Sequence, residues 1–511
     1  MSSRSKLITI VLIVIYASVM ICTNHAYTIL DDESMIVTLA GHPILPTLKL
    51  FFIGVGQNEH PPLSDVLLHA WLVATHFSFF ALRIFANVFF IAAIVFIALS
   101  AKMMGGSYAY WAALALGFLW PFAFQYGRIT GWYCPCMFLV SLVTWLYLRI
   151  IERDSYWSWA GFALVGILLV WSNYFGVAIL FLLLADFLLF HRSLASRNSL
   201  SLVLSVTAIG LSFVPLCGMA LMKLRYPSPA AGPVINPGLK GLIASIGYPV
   251  YAIFASVAVA PWFLLLSIPI LVAALVLFAC LWFSAGRRWF VYFILAMILL
   301  QLSGHMNVKR VLFLLPWMFL AMCLAMTSRT SRYPWLTTTA ITVMVTAGWI
   351  GILSARHYAT TNLYEPWGRV AQVVANDAKS GATIVSENFQ FFFYMNYQLG
   401  LETETGEAAR PFLGETLYRS HGYKLLEPNH WQALSESLRG KVVLVNGSAQ
   451  TEQVQWTNAL NERLRQRCAT LGEYQAAPDP AAALKKEFAK GAAVLAYRTD
   501  VTWYDCSRPV N

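Results

Sequence analysis

The sequence predicts a polytopic α-helical membrane protein that carries a soluble α/β domain at its C-terminal end. Three observations predict it. Of the 511 residues, 59% are hydrophobic and 12% charged, where a soluble globule is about a quarter charged. Mean hydropathy is +0.63, and long apolar runs recur up to residue 354. Beyond that point the charge balance changes: residues 1–354 hold 19 Lys/Arg and 8 Asp/Glu, while residues 355–511 hold 16 of each. The expected division is therefore a membrane domain over 1–354 and a soluble domain over 355–511.

A run of about 20 apolar residues covers the hydrocarbon of a bilayer as a helix. On that basis about 11 membrane helices are expected, at 7–23, 79–101, 107–124, 132–151, 156–172, 174–190, 200–222, 260–285, 289–304, 311–327 and 335–354. The first follows Arg4 and Lys6. No small-residue cleavage site appears in "CTNHAYTILDDE", so it reads as a retained helix rather than a signal peptide. With the N-terminus cytoplasmic, every inner loop contains a base: Lys102, Arg149/Arg153, Arg192/Arg197, Arg287/Arg288 and Arg329/Arg332. An odd number of crossings then sends the C-terminal domain outside.

Two apolar stretches, 62–77 and 242–259, contain polar interruptions. Making both cross would place Arg149, Arg153, Arg192 and Arg197 outside, so they read as juxtamembrane or re-entrant helices on the outer face. In the first, Asp65, His69 and His76 fall near one helical face. A hydrated face on an interfacial helix is the favoured reading there, ahead of a metal site.

From residue 355 a helix is expected in "WGRVAQVVANDAKSG", a strand in "ATIVSE", a helix or strand in "FQFFFYMNYQLG" and a strand in "KVVLVNG". A helix follows in "TEQVQWTNALNERLRQRC", and "GAAVLAYRTD" reads as a closing strand. No glycine-rich phosphate loop occurs, so a nucleotide site has no support. No soluble basic patch with interleaved aromatics occurs either, and nucleic acid is not an expected partner. Membrane lipids are. Cys468 and Cys506 are the domain's two cysteines; an extracytoplasmic location would permit a disulfide, subject to geometry. Cys134-Pro-Cys136 has no metal-binding partner pair and reads as structural.

Chemistry concentrates in one loop. Five of the eight acids before residue 355 lie between Asp31 and Asp65, starting with Asp31-Asp32-Glu33 just outside the first helix. The loop ends in Asn58-Glu59-His60-Pro61-Pro62-Leu63, whose prolines stiffen the chain and prepare the next helix. Arg128, Lys309 and Arg310 converge on the same face from distant parts of the sequence. A base-capable carboxylate and a separate cationic patch suit transfer from a phosphate leaving group.

These residues resemble the membrane-embedded GT-C glycosyltransferases, specifically bacterial members related to protein O-mannosyltransferases and the lipid A aminoarabinose transferase. Asp32-Glu33 matches an acidic "DE" motif after the first helix, with Asp31 as an extra acid. His60-Pro61-Pro62-Leu63 matches "[HK]PPL", and Leu82-Arg83 matches an "LR" at the next helix. "GRITGWY" loosely matches an "R-x-Y" segment through Arg128 and Tyr133, and Asn173-Tyr174 stands where "HY" is usual. Arg310-Val311-Leu312-Phe313-Leu314-Leu315-Pro316 matches "RYLLP" with Val for Tyr, and the stretch from Trp367 resembles the opening of that family's soluble domain.

The resemblance spans nearly the whole chain in order. It implies a GT-C-like fold in a bacterial inner membrane, with the C-terminal domain periplasmic. The implied partners are a polyprenyl-phosphate-linked sugar donor and a glycolipid, lipopolysaccharide or protein acceptor. By position, Asp32 is the candidate general base, with Asp31, Glu33 and Glu59 beside it. His60, Arg83, Arg128, Tyr174, Lys309 and Arg310 are the candidate substrate-binding residues. Some relatives bind a divalent metal; acids and histidines are present here, but the sequence assigns no ligand set and no certain cofactor. The competing class is a polytopic lipid or solute transporter or flippase. It would need broken helices at midplane depth or internal repeats, and no clear repeat is present.

Overall fold

A computed structural model describes residues 3–24, 60–76, 78–225, 247–256, 263–303, 308–328, 331–354, 367–386, 435–447, 453–476 and 499–507. It also describes shorter pieces at 416–418 and 424–427 and isolated positions at 33–51, 259, 261 and 391–399. Two compact units result. One comprises Met1–Asn24, Ile44–Leu68 and Arg83–Ala355, the other His25–Pro43, His69–Leu82 and Arg356–Asn511.

The helices are α1 (Ser3–Asn24), α2 (Leu63–Ala74), α3 (Phe79–Leu119), α4 (Pro121–Tyr126), α5 (Tyr133–Arg153), α6 (Tyr156–Ser172), α7 (Gly176–Phe190) and α8 (Arg192–Arg197). They continue with α9 (Ser199–Arg225), α10 (Tyr248–Ala255), α11 (Leu264–Trp282), α12 (Arg287–Leu302), a 3-10 helix (Lys309–Leu314) leading into α13 (Leu315–Thr327), and α14 (Pro334–Ser354).

Seven helices among the described residues are long and apolar enough to cross a membrane. One of these, α3, is two crossings. Gly106 has φ 74 and ψ −161 inside it, a backbone that side chains other than glycine rarely adopt. A Cβ added to Gly117 would lie 2.6 Å from Ile94, so residues equally distant from the break face each other and the halves run antiparallel. Adding the shorter α6, α7 and α12 reproduces the expected set of membrane helices. The protein is a polytopic helical membrane protein. One boundary differs. The helix expected to run to 124 stops at Leu119, because Trp120 takes the extended backbone (φ −70, ψ 116) that a following proline imposes, and Pro121 opens α4.

Burial separates core from periphery. The Lys309–Thr327 segment is 89% buried, whereas Ser199–Leu221 is only 11% buried and points Leu204, Leu211 and Val214 outward. Such an all-round apolar helix with an exposed face fits contact with lipid. The 12-residue α2 rises 1.5 Å per residue and falls short of the roughly 30 Å core; of the stretch 242–259, α10 covers Tyr248–Ala255, and residues 242–246 lie outside the described set. Asp65 is buried in the first turn of α2 rather than hydrated. His69 Nδ1 lies 2.7 Å from the Ala40 carbonyl. His76 lies past the helix end at φ 51, so the three do not share a helical face as expected.

The second unit contains a six-stranded sheet in the order β2-β3-β1-β4-β6-β5. Its strands are β1 (Thr383–Ser386), β2 (Thr416–Tyr418), β3 (Lys424–Glu427), β4 (Lys441–Gly447), β5 (Ala469–Ala476) and β6 (Thr499–Asp505). β3, β1 and β4 are parallel; β2, β6 and β5 run antiparallel to their neighbours. Helix α15 (Trp367–Lys379) precedes β1 and α16 (Gln453–Arg467) follows β4. Leu460 and Leu464 of α16 pack on Val442 and Leu444 of β4. On α15, Asp377 accepts from Lys441 Nζ at 2.5 Å and from Trp503 Nε1 at 2.7 Å, tying that helix to β4 and β6.

The closing strand is displaced from its expected place. It spans Thr499–Asp505, and residues 491–498 lie outside the described set. Strand β5 was not expected: it is an edge strand whose residues are largely exposed and which contains Gly472 and Glu473, so it lacks an apolar signal. Cys468 and Cys506 form a disulfide with Cα atoms 4.6 Å apart. It joins the residues flanking the paired ends Ala469 and Asp505.

Candidate functional site

The site in the membrane unit is built where several distant segments meet. Pro62 accepts the Val66 amide at 3.0 Å, starting α2 and holding His60 just outside it. The His60 ring lies 4.3 Å from that of Trp132. Trp132 is the residue before α5, and Gly131 beside it has φ 141, a glycine conformation that turns the chain into the helix. Trp132 contacts Phe313 of the 3-10 helix at 5.9 Å, and Phe313 contacts Phe175 at 5.6 Å. In a 3-10 helix, side chains three apart eclipse, so Arg310 lies over Phe313 on the same side. Arg310 is 8% exposed and Lys309 half-buried.

Asn173, the departure from "HY", has a structural task. Its Oδ1 accepts the Phe175 amide at 2.8 Å, closing an Asx-type turn that sets Tyr174 between α6 and α7. Burial pushes the Tyr174 hydroxyl up to about 12, so it is a neutral O–H at physiological pH. That hydroxyl and the neighbouring Ser172 Oγ are buried without a partner.

Arg83 and Arg128 are fully buried in an adjoining network. Arg83 Nη1 donates to the Arg128 carbonyl at 3.1 Å. Arg128 Nη1 donates to Thr23 Oγ1 at 2.8 Å, its Nε to the Phe124 carbonyl at 3.2 Å, and its Cζ stands 4.0 Å from the Phe124 ring centroid. Asn24 Nδ2 donates to Asn87 Oδ1 at 2.8 Å, and Asn87 Nδ2 to the Gly127 carbonyl at 3.3 Å. A Cβ on Gly127 would stand 2.7 Å from the Phe90 ring; only glycine allows that approach. The end of α1, the start of α3 and the 124–128 segment are thereby locked together.

Trp132, Phe313 and Phe175 thus form one aromatic wall; His60 packs on Trp132, Arg310 stands one 3-10 turn before Phe313, Tyr174 precedes Phe175, and Arg83 and Arg128 lie in the adjoining network. Among the acids, Glu33 is fully buried in the second unit; Asp31, Asp32 and Glu59 lie outside the described residues. Among the described residues no group of three or more His, Cys, Asp or Glu could hold a metal ion.

Sequence reasoning missed two groups. Trp132 and Phe313 are the wall itself, and nothing local marks them because their contacts are long-range. Asp65 was noted only as part of a face. Burial pushes its carboxyl up to about 7, in the range where an acid exchanges protons near neutral pH; a lone carboxylate opening an apolar helix could have signalled it.

The opposite end of the same unit holds an ion-paired cluster. Asp186, buried within α7, pairs with Arg288 at the start of α12 and accepts from the Tyr147 hydroxyl of α5. Arg288 Nη2 also lies 3.0 Å from Tyr147 Oη and 3.3 Å from His191 Nε2, and its Nε donates to Tyr292 Oη at 3.3 Å. Arg287, next to it, stands 4.5 Å from the Trp282 ring.

Comparison with solved structures fits this architecture. The apo crystal structure of ArnT from Cupriavidus metallidurans aligns over 100% of both chains with a TM-score of 0.57 and 11% identity. The chain has the fold of ArnT. A second structure of ArnT from that organism, bound to undecaprenyl phosphate, aligns over 98% of both chains with a TM-score of 0.45 and 12% identity. No protein-family model and no curated protein matches the sequence. The expected polytopic helical architecture is therefore present, at an identity where only the fold is shared.

Proposed function

We propose that the protein is an integral-membrane glycosyltransferase. It moves a sugar from a polyprenyl-phosphate donor to an envelope acceptor, a glycolipid, lipopolysaccharide or protein, on the extracytoplasmic face of a bacterial inner membrane. The observation that carries this is the meeting of His60, Tyr174 and Arg310 around one aromatic wall at the ends of separate helices, within an ArnT-like fold.

In this reading Lys309 and Arg310 hold the donor phosphate, and Arg83 and Arg128 hold the frame around it. Asp32 takes the proton of the acceptor hydroxyl. The acceptor oxygen bonds to the anomeric carbon as the bond from that carbon to the phosphate oxygen breaks. The bonding pair leaves on the polyprenyl phosphate, where the cations stabilise it. The basic loops, including Arg149, Arg153, Arg192 and Arg287, favour a cytoplasmic location for the opposite end. The Cys468–Cys506 disulfide favours an oxidising, periplasmic compartment for the C-terminal domain.

Asp32→Asn in proteoliposomes supplied with polyprenyl-phosphate sugars should abolish transfer and leave the thermal midpoint unchanged. Full retained activity would remove Asp32 from the reaction.

A further inference from the structure

Among the described residues, the membrane unit satisfies its buried indoles with one exception. Trp120, Trp289 and Trp317 are fully buried. Their Nε1–H groups donate to the Ile253 carbonyl at 2.7 Å, Met104 Sδ at 3.1 Å and Thr144 Oγ1 at 3.0 Å. Trp132 is 2% exposed, and its Nε1–H has no acceptor. A buried N–H without an acceptor carries a desolvation penalty, which folded chains avoid in the great majority of cases. The ring is engaged by His60 at 4.3 Å, Tyr133 at 4.2 Å and Phe313 at 5.9 Å. What Trp132 has left to offer is a hydrogen at its edge.

The neighbourhood says what that hydrogen would meet. Phe313 links Trp132 to Arg310 through the 3-10 turn and to the Tyr174 turn through Phe175. Tyr174 Oη and Ser172 Oγ are also buried without partners. An indole N–H and a guanidinium only donate. A ligand serving both must present acceptors, and the non-bridging oxygens of a phosphate ester do so with the negative charge that Arg310 favours, which a neutral sugar hydroxyl lacks.

We propose that Trp132 is a specificity-determining residue of the lipid-phosphate site. Its Nε1–H donates to a non-bridging phosphate oxygen of the polyprenyl phosphate, beside Arg310. The inference rests on the donor chemistry proposed above and adds a neutral donor to it. His60 and Tyr133 hold the indole in place, so the N–H is aimed before the lipid arrives, and the buried group gains its missing acceptor only on binding.

The test uses the full-length protein in detergent micelles, with farnesyl phosphate and farnesol as probes. Trp132→Phe keeps the aromatic packing and deletes the N–H. Its affinity for farnesyl phosphate should fall about tenfold or more, as expected for a hydrogen bond to a charged group, with farnesol binding and thermal midpoint unchanged. In wild-type protein labelled with 15N at the indole nitrogens, the Trp132 N–H resonance should move downfield with farnesyl phosphate and stay put with farnesol. Binding of farnesyl phosphate with an unmoved resonance and an unimpaired Trp132→Phe variant overturns the assignment of Trp132 and leaves the donor reading standing. Wild-type protein that binds no farnesyl phosphate overturns both.

Discussion

The two ends of the membrane unit arrange buried polarity differently. At one end Asp186 Oδ2 and Arg288 form an ion pair in a cluster with Tyr147, His191 and Tyr292, and Asp186 Oδ1 is left without a partner. At the other, Trp132, Tyr174 and Ser172 keep buried polar atoms without partners beside an arginine-bearing turn. Helix α5 bears on both ends, with Trp132 and Tyr133 at its start and Tyr147 in its later turns, so the difference does not come from local propensity. An ion pair that links α5, α7 and α12 fixes the fold; a buried indole N–H left without an acceptor beside an arginine, where Trp120, Trp289 and Trp317 have theirs, indicates binding.

Removing Arg288 is the strongest way to break this contrast. Arg288→Ala leaves Asp186 buried without its cation and should cost about 3–5 kcal/mol of stability, read as a fall in thermal midpoint in detergent. Transfer per folded molecule should be unchanged. A variant of full stability would mean that the ion-paired end is not structural.

The oxidising compartment proposed for the C-terminal domain is tested by its disulfide. It closes a loop of 38 residues, for which the chain-entropy model gives about 4 kcal/mol. Reduction in the purified protein should loosen the sheet, read by hydrogen exchange along β5 and β6. Thiol labelling before reduction should leave Cys468 and Cys506 unmodified. Free thiols in both states would reject the pairing and with it the oxidising location.

Asp65 gives an effect spread over pH and bears on the site end. Its carboxyl titrates at about 7 when folded and at 3.8 when exposed. Between those values the folded state holds a proton that the unfolded state has released, so stability falls as pH rises from about 4 to about 7 and then levels. The slope is at most about 1.4 kcal/mol per pH unit. Asp65→Asn should flatten that part of the profile; an unaltered slope would place the titrating group elsewhere.

Much of the fold is legible in the sequence because it is written in composition and local signals. Apolar runs, inner-loop bases and the shift near residue 355 are enough to lay out the helices. Even the reversal inside α3 is visible as Gly105-Gly106 between two apolar stretches. The start of α4 is readable from Pro121 only in retrospect, since a short helix continues on the other side. Strand β5 escapes because an exposed edge strand needs no apolar face.

The site divides the same way. His60, Arg128, Asn173-Tyr174 and Arg310 are recognisable from motif resemblance. The wall that unites them, Trp132 and Phe313, joins positions more than 170 residues apart in sequence, and no periodicity records such a contact. Asn173 looks like a lost histidine until its side chain is seen closing the turn that carries Tyr174.

The most direct test of the account is sugar transfer in proteoliposomes from a panel of labelled polyprenyl-phosphate donors, comparing wild type with Arg310→Ala. The account predicts that the wild type transfers from at least one donor, and that the variant is about a hundredfold slower at an unchanged thermal midpoint. Equal rates for the two proteins, or no transfer by the wild type from any donor, would contradict it.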